Sequence, residues 1–431
     1  MLEHGGLVGT EPFAATHLGE RLPAFGWLAQ IAMAEVRLLW GWTGLRVFDA
    51  LCWLGGFLVV AVACRRRDCS AAGVLLGLAI AFYVAFPTAS IRPQSFAVLC
   101  FGVLLALLRL ELRPWRTTLF AVPLFLLWQN LHPSISVAAV ALGAHAAIGW
   151  GHWLLRRGPP PWEITALVCL ASAAMLATPD GWSALHLAGE NARASAAMGV
   201  TEWLPLWHSV NRGGVWPILF VIAVTGLLLV RHPRRIEPGE LAVAVVLLVM
   251  TAFATRFVLF WAMALIPVIA RMLPSSAQVP TQVQARMPAV VAPLLFLATA
   301  VLMPLRQPTH FIETIPLAAI GKLHDQQVRG TIFTHIPWGG PAIDIGYPGW
   351  HVAYDGRFYR YTPEEWAFYR RIDRDQVPLA EVLRRYRPIA FVLDPQWNRS
   401  LIGELRADHE WEELSADRVA VAFKRRTGAT P

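Results

Sequence analysis

Apolar runs close to the thickness of a bilayer's hydrocarbon core recur along the first 305 residues. No other feature restricts the fold as much. A helix needs about 20 apolar residues to cross about 30 Å of hydrocarbon, and in lipid only helices and closed barrels satisfy their own backbone polar groups. About ten runs are legible, near 43–64, 71–87, 95–110, 117–131, 135–153, 162–178, 214–230, 238–253, 257–272 and 288–305. The chain is 56% hydrophobic and only 15% charged, where a soluble domain carries about 25% charged residues. The expected fold class is therefore a polytopic α-helical membrane protein.

Segment 22–40 mixes Gln30, Glu35 and Arg37 into an apolar pattern, which predicts an amphipathic helix in the interface or, alternatively, a further span. The arginines set the expected orientation. Arg65-Arg66-Arg67, Arg109/Arg113/Arg116, Arg156-Arg157, Arg231/Arg234/Arg235 and Arg271/Arg286 fall in every second loop. The positive-inside rule makes those loops cytoplasmic and the alternate loops, with both ends of the chain, extracytoplasmic. This clustering accounts for the formal charge of +8 without nucleic acid. The five cysteines all lie in or beside apolar runs, so neither a disulfide framework nor a zinc-ligand spacing is expected. The start of the chain lacks the basic and apolar regions of a signal peptide.

Residues 306–431 change character. "GTIFTH", "WHVAYDG", "PIAFVLD" and "RVAVAFKRR" read as strands, while "PEEWAFYRRI" and "LAEVLRRY" have helical spacing. The expected organisation is an outer N-terminal segment with an interfacial helix (1–42), a transmembrane domain (43–305) and a soluble α/β domain (306–431), with a polar linker at 273–286. Gly339-Gly340 reads as a tight turn, and no nucleotide-binding glycine pattern occurs.

The outward-facing ends of the runs are polar. They carry Arg92 and Gln94, Asn130 and His132, Glu202 with Trp203, Trp207 and His208, and Arg256, with Glu3, His4 and Glu11 from the N-terminal segment. Ionisable groups at membrane depth are costly and usually line a cavity or pathway. A cavity at the outer leaflet, holding the charged head group of a lipid-linked substrate, would gather them. Each residue also has a plainer reading. Arg92 and Arg256 suit snorkelling to lipid phosphates, His132 suits a helix end, and the tryptophans suit an aromatic belt. Asp344, Asp355 and Arg357 suit an ion pair that fixes a turn.

The segments "LEHGGLVGTEPF", "RPQSFAVL", "LLWQNLHPSI", "LATPDGW", "VTEWLPLW" and "FATRFVLFWAMALIP", with the tail's "IPWGGPAIDIGYPGWHVAYDGRFYRYTPEEW", resemble bacterial GT-C-superfamily glycosyltransferase-like membrane proteins. These are distant relatives of protein O-mannosyltransferases and lipid A aminoarabinose transferases. The resemblance implies an inverting transfer from a polyprenyl-phosphate sugar on the extracytoplasmic face of the bacterial inner membrane. An acidic base, basic residues on the phosphate and sometimes a divalent cation would serve the reaction. It also implies that Glu11 matches an acidic position of the family, that Arg92, Asn130, His132, Glu202 and Arg256 match the outer-face motifs, and that Asp355 and Arg357 match its Asp-Gly-Arg. The family's usual first span and Asp-bearing loop would precede residue 1: either the chain starts further upstream and the base lies there, or that loop is lacking and Glu11 is the nearest substitute as catalytic base. The alternative is a non-catalytic scaffold or lipid-binding protein of the same fold. A secondary transporter ranks last, because no inverted repeat or paired broken spans are visible.

Overall fold

The computed structural model describes residues 5–273, 281–306 and 312–426. Glu3, His4 and positions 274–280 of the expected linker lie outside them; from Thr281 the chain is helical. Each apolar run forms a helix: α1 (Trp27–Arg66), α2 (Ala71–Ala85), α3 (Gln94–Leu110), α4 (Pro114–Leu131), α5 (Ile135–Leu154), α6 (Trp162–Ala174), then α7 (Ser183–Ala197), α8 (Arg212–Arg231), α9 (Pro238–Phe253), α10 (Val258–Met272) and α11 (Thr281–Arg306). Helix α7 falls in what the sequence suggested was an outer loop. Among the described residues, five helical segments are long and apolar enough to cross a membrane, and shorter apolar helices accompany them.

Helix α1 joins the amphipathic segment to the first run. Gly41 breaks it with φ 64° and ψ −163°, a backbone conformation open to glycine and strained for other residues. The chain turns there, between the stretch carrying exposed Leu38, Leu39 and Trp40 and the buried stretch from Leu45 onward.

Small residues let the helices of the bundle approach closely. A Cβ on Gly102 of α3 would sit 2.2 Å from the Gly56 carbonyl oxygen of α1, and one on Gly56 would sit 2.6 Å from the Val98 carbonyl oxygen. This is the small-residue packing expected where lipid surrounds a bundle and dispersion, more than hydrophobic exclusion, holds helices together. Helix α10 occupies the centre: every residue except Arg271 is buried. The outside of the bundle is apolar, with Trp115, Phe120, Trp216, Phe220, Phe253 and Leu294 all exposed. Beyond residue 311, by contrast, the exposed large apolar residues are Ile312, Tyr347 and Trp397 among those described. An apolar exterior of that extent suits a membrane, and the tail's surface suits water.

The tail comprises α12 (Leu317–Asp325), β1 (Gly330–Thr334), α13 (Ile336–Gly346), β2 (Trp350–Val352), α14 (Pro363–Asp373), α15 (Leu379–Tyr386), β3 (Ala390–Leu393), α16 (Arg399–Ala407), β4 (Trp411–Ala416) and β5 (Val421–Arg425). The sheet order is β2-β1-β3-β5-β4. Strands β2, β1 and β3 run parallel, joined by helical crossovers, and β5 and β4 close the sheet as an antiparallel hairpin. Strand β3 is wholly buried, as expected for a strand covered on both faces.

Gly339-Gly340 does not form a tight turn. Both residues lie inside α13, where a Cβ on Gly339 would meet the Tyr354 carbonyl oxygen at 2.4 Å. Gly339 instead serves close approach of the helix to the chain just after β2. The N-terminal segment packs against the tail's sheet. Ala14 bridges Val352 in parallel, and the Val352 N–H donates to the Phe13 carbonyl at 2.9 Å. It thereby covers the β2 edge, which would otherwise be open to pairing.

Candidate functional site

A cavity of about 800 Å³ lies between one end of the bundle and the tail. Arg92, Gln94, His132, Glu202 and Arg256 all line it, so five polar residues from four separate loops converge as the sequence suggested. The tail supplies the roof: Ile336 and Pro337 directly after β1, and Gly356 and Phe358 shortly after β2. Ligands of open α/β sheets characteristically sit beyond the carboxyl ends of parallel strands, and here those ends face the bundle. A second cavity of about 400 Å³ opens between α2 and α8 and shares Arg92, Gln94, Glu202 and Arg256 with the first. These side chains therefore form a polar partition between two spaces.

The partition is cationic. Arg92 pairs with Glu202 at 3.0 Å. The Arg256 guanidinium lies 3.8 Å over the centre of the Trp203 ring and has no carboxylate within ion-pair distance among the described residues. A guanidinium favoured by an aromatic face but lacking a counterion is a natural place for an anion.

His132 is neutral. Burial first, then the Arg256 charge, holds its pKa down to about 3. The hydrogen bonds also assign its tautomer. The Ser134 Oγ accepts from the Trp128 indole N–H at 3.0 Å, and lies 2.8 Å from His132 Nδ1. The Ser134 backbone N–H also donates to Nδ1, at 3.3 Å. Nδ1 is thus the acceptor, and Nε2 carries the hydrogen. His132 offers an N–H donor rather than a base.

The remaining candidates lie elsewhere. The Asn130 Oδ1 accepts from Trp27 Nε1 at 2.7 Å, and its amide nitrogen donates to the Leu126 and Ala177 carbonyls at 2.8 and 2.7 Å. It ties α1, α4 and the loop after α6 together and does not line the cavity. Glu11, the expected base, has a fully buried side chain. Its oxygens accept from Arg357 Nη1 and Nη2 at 2.7 and 2.8 Å, from Phe13 N–H at 2.8 Å and from Ala14 N–H at 3.0 Å, with Arg360 Nε at 3.2 Å. Burial acts to raise its pKa, but the Arg357 contact and the two backbone N–H groups outweigh it and the net direction is down. A carboxylate so engaged docks the N-terminal segment, with three donors on Oε1 and Arg357 Nη1 on Oε2.

Asp355 and Arg357 join the same cluster, through Arg357 Nε to Asp355 Oδ1 at 3.0 Å and Nη2 to Oδ2 at 2.6 Å. Burial works against the Arg357 charge, yet Asp355 and Glu11 together raise its pKa. Asp344 pairs instead with Arg37 of α1, at 2.5 Å.

Asn191 and Ser195 of α7, with Thr201, also line the cavity. Nothing in "SALHLAGENARASAA" marks them, because α7 has no apolar stripe to reveal which side faces inward. Among the described residues no three His, Cys, Asp or Glu side chains gather as a metal-ligand set. Among the described residues, Glu202 is the one carboxylate on the cavity wall. One carboxylate and a histidine beside two arginines do not make a divalent-cation site. No protein-family model matches the chain, and no curated protein matches it.

Proposed function

We propose that the chain is a bacterial inner-membrane glycosyltransferase of GT-C type, with its tail domain on the extracytoplasmic side. The donor would be a polyprenyl-phosphate sugar. The observation that carries this reading is the cationic partition of Arg92, Arg256 and the His132 N–H between two cavities. The cavity between α2 and α8, rimmed by Tyr83, Val84 and Pro217, suits a lipid chain arriving sideways. The cavity under the tail suits the acceptor.

In that arrangement the phosphate sits at the partition. An acceptor hydroxyl oxygen attacks the anomeric carbon, and the bond from that carbon to the phosphate oxygen breaks. Polyprenyl phosphate leaves with the electron pair, its charge met by the guanidiniums. The hydroxyl proton passes to Glu202, which replaces Glu11 as the base in this reading. No step runs through a metal ion.

The Arg92–Glu202 contact favours a second reading, a lipid-phosphate-binding scaffold, since an ion-paired carboxylate is a weaker base. The test is transfer from a panel of radiolabelled polyprenyl-phosphate sugars in proteoliposomes, with Glu202→Gln as the variant. Product formation that Glu202→Gln abolishes supports the enzyme; phosphate-dependent lipid binding without product supports the scaffold. Transfer that survives Glu202→Gln removes it as the base.

A further inference from the structure

The opposite end of the bundle holds a second basic cavity, of about 210 Å³, lined by Arg67, Arg109, Arg235 and Arg271 with Asp68. Helix α3 has 17 residues, so Arg109 lies about 25 Å from Arg92 at a rise of 1.5 Å per residue. Helix α10 likewise carries Arg256 just before one end and Arg271 at the other. The two cavities are therefore far apart, and the second has no place in the proposed transfer.

Its guanidiniums are under-supplied with acceptors. Glu240 is shared between Arg109, at 3.3 Å, and Arg271, at 2.8 Å. Arg67 meets Glu111 at 3.2 Å and the Leu110 carbonyl. Among the described residues, Arg235 reaches only the Arg271 carbonyl, at 3.4 Å. The Arg109 side chain is 4% exposed. Its other hydrogen bonds go to Cys69 Sγ at 3.1 Å and the Arg67 carbonyl at 3.3 Å, and its Nε is buried without a partner among the described residues. Asp68, Glu111 and Glu240 supply three carboxylates to four guanidiniums. A buried arginine donor without an acceptor is costly, and guanidinium forks fit phosphate oxygens in pairs.

We infer that this cavity binds a phosphate group, either the headgroup phosphate of an anionic phospholipid or a free phosphate. The lipid source follows from its position at the basic end of an apolar bundle, where basic pockets between helices meet headgroups. The phosphate chemistry stands without it.

Native mass spectrometry of the full chain in neutral detergent tests the assignment, with phosphatidylglycerol and phosphatidylcholine as probes and thermal shift with inorganic phosphate as the third arm. Phosphatidylglycerol retained at least about tenfold more tightly than phosphatidylcholine assigns the lipid source. Stabilisation by inorganic phosphate with no preference between lipids assigns the soluble source. In either case Arg235→Gln, which removes the most loosely engaged guanidinium, weakens binding about tenfold. The assignment is overturned if wild-type protein shows neither preference, or if folded Arg235→Gln binds as tightly as wild type.

Discussion

Replacing Glu11 by Gln separates a docking carboxylate from a catalytic one. Gln keeps the size and one acceptor oxygen, so the Phe13 and Ala14 N–H bonds can survive. The amide group that replaces the second oxygen then points a donor at a guanidinium donor. Charge-assisted hydrogen bonds contribute about 1.5–3 kcal/mol each; the Arg357 Nη1 bond to Oε2 is lost, and the Nη2 bond to the retained Oε1 loses its charge assistance. Asp355 still neutralises Arg357, whose side chain is 25% exposed, so the sum is discounted to about 2–4 kcal/mol. At about 1.4 kcal/mol per factor of ten, the opening equilibrium of the N-terminal segment rises about 30- to 700-fold. Amide hydrogen exchange reads this directly. Glu11 N–H, bonded to the Glu20 carbonyl, and Val352 N–H, bonded to the Phe13 carbonyl, lose protection by that factor while the α10 amides do not change. Unaltered protection together with loss of sugar transfer would refute the argument and restore Glu11 as the base.

The same carboxylate sets a pH dependence. Folded Glu11 is more acidic than its ordinary value of 4.5, so its contribution to docking is complete above that value and is lost as pH falls below it; exchange of Val352 N–H at pH 4 against pH 7 checks this. His132 stays neutral, and histidine NMR at pH 6 should show the Nε2–H tautomer; an imidazolium there would contradict the network. Gly102→Ala places a methyl against the Gly56 carbonyl and should destabilise the bundle by about 1–3 kcal/mol, seen as a lower thermal midpoint in detergent. Arg37→Ala removes a pair in which both side chains are more than a third exposed and should cost under about 1 kcal/mol; a large fall in the midpoint would mean that the pair fixes the tail to the bundle.

Much of this architecture was legible in the sequence because hydrophobic patterning is a local property. Each apolar run became a helix, and "GTIFTH", "WHVAYDG", "PIAFVLD" and "RVAVAFKRR" each contain a strand. Runs of similar length joined by short loops return alternate loops to one face, which is how Arg92, His132, Glu202 and Arg256 came together. What the sequence did not show depended on tertiary placement. Glu11 and Arg357 are 346 positions apart, and neither neighbourhood announces the other. Strand β4 pairs at a sheet edge with charged residues along it, so it lacks the apolar alternation that marks a strand. Glycines 339 and 340 are equally compatible with a turn or with a close helix crossing, and only the position of Tyr354 decides. Asn130, in the last turn of α4, lies two residues from His132 yet points into a packed junction, a difference of side-chain direction that spacing does not encode.

The central claim is that Arg92, Arg256 and His132 hold the phosphate of a lipid-linked substrate. The most direct measurement compares binding of polyprenyl monophosphate and the corresponding polyprenol to the purified chain, with Arg256→Gln alongside. The account predicts that the phosphate form binds at least about tenfold more tightly and that Arg256→Gln removes most of that difference. Equal affinity for the two lipids, or a preference that Arg256→Gln leaves intact, would contradict it.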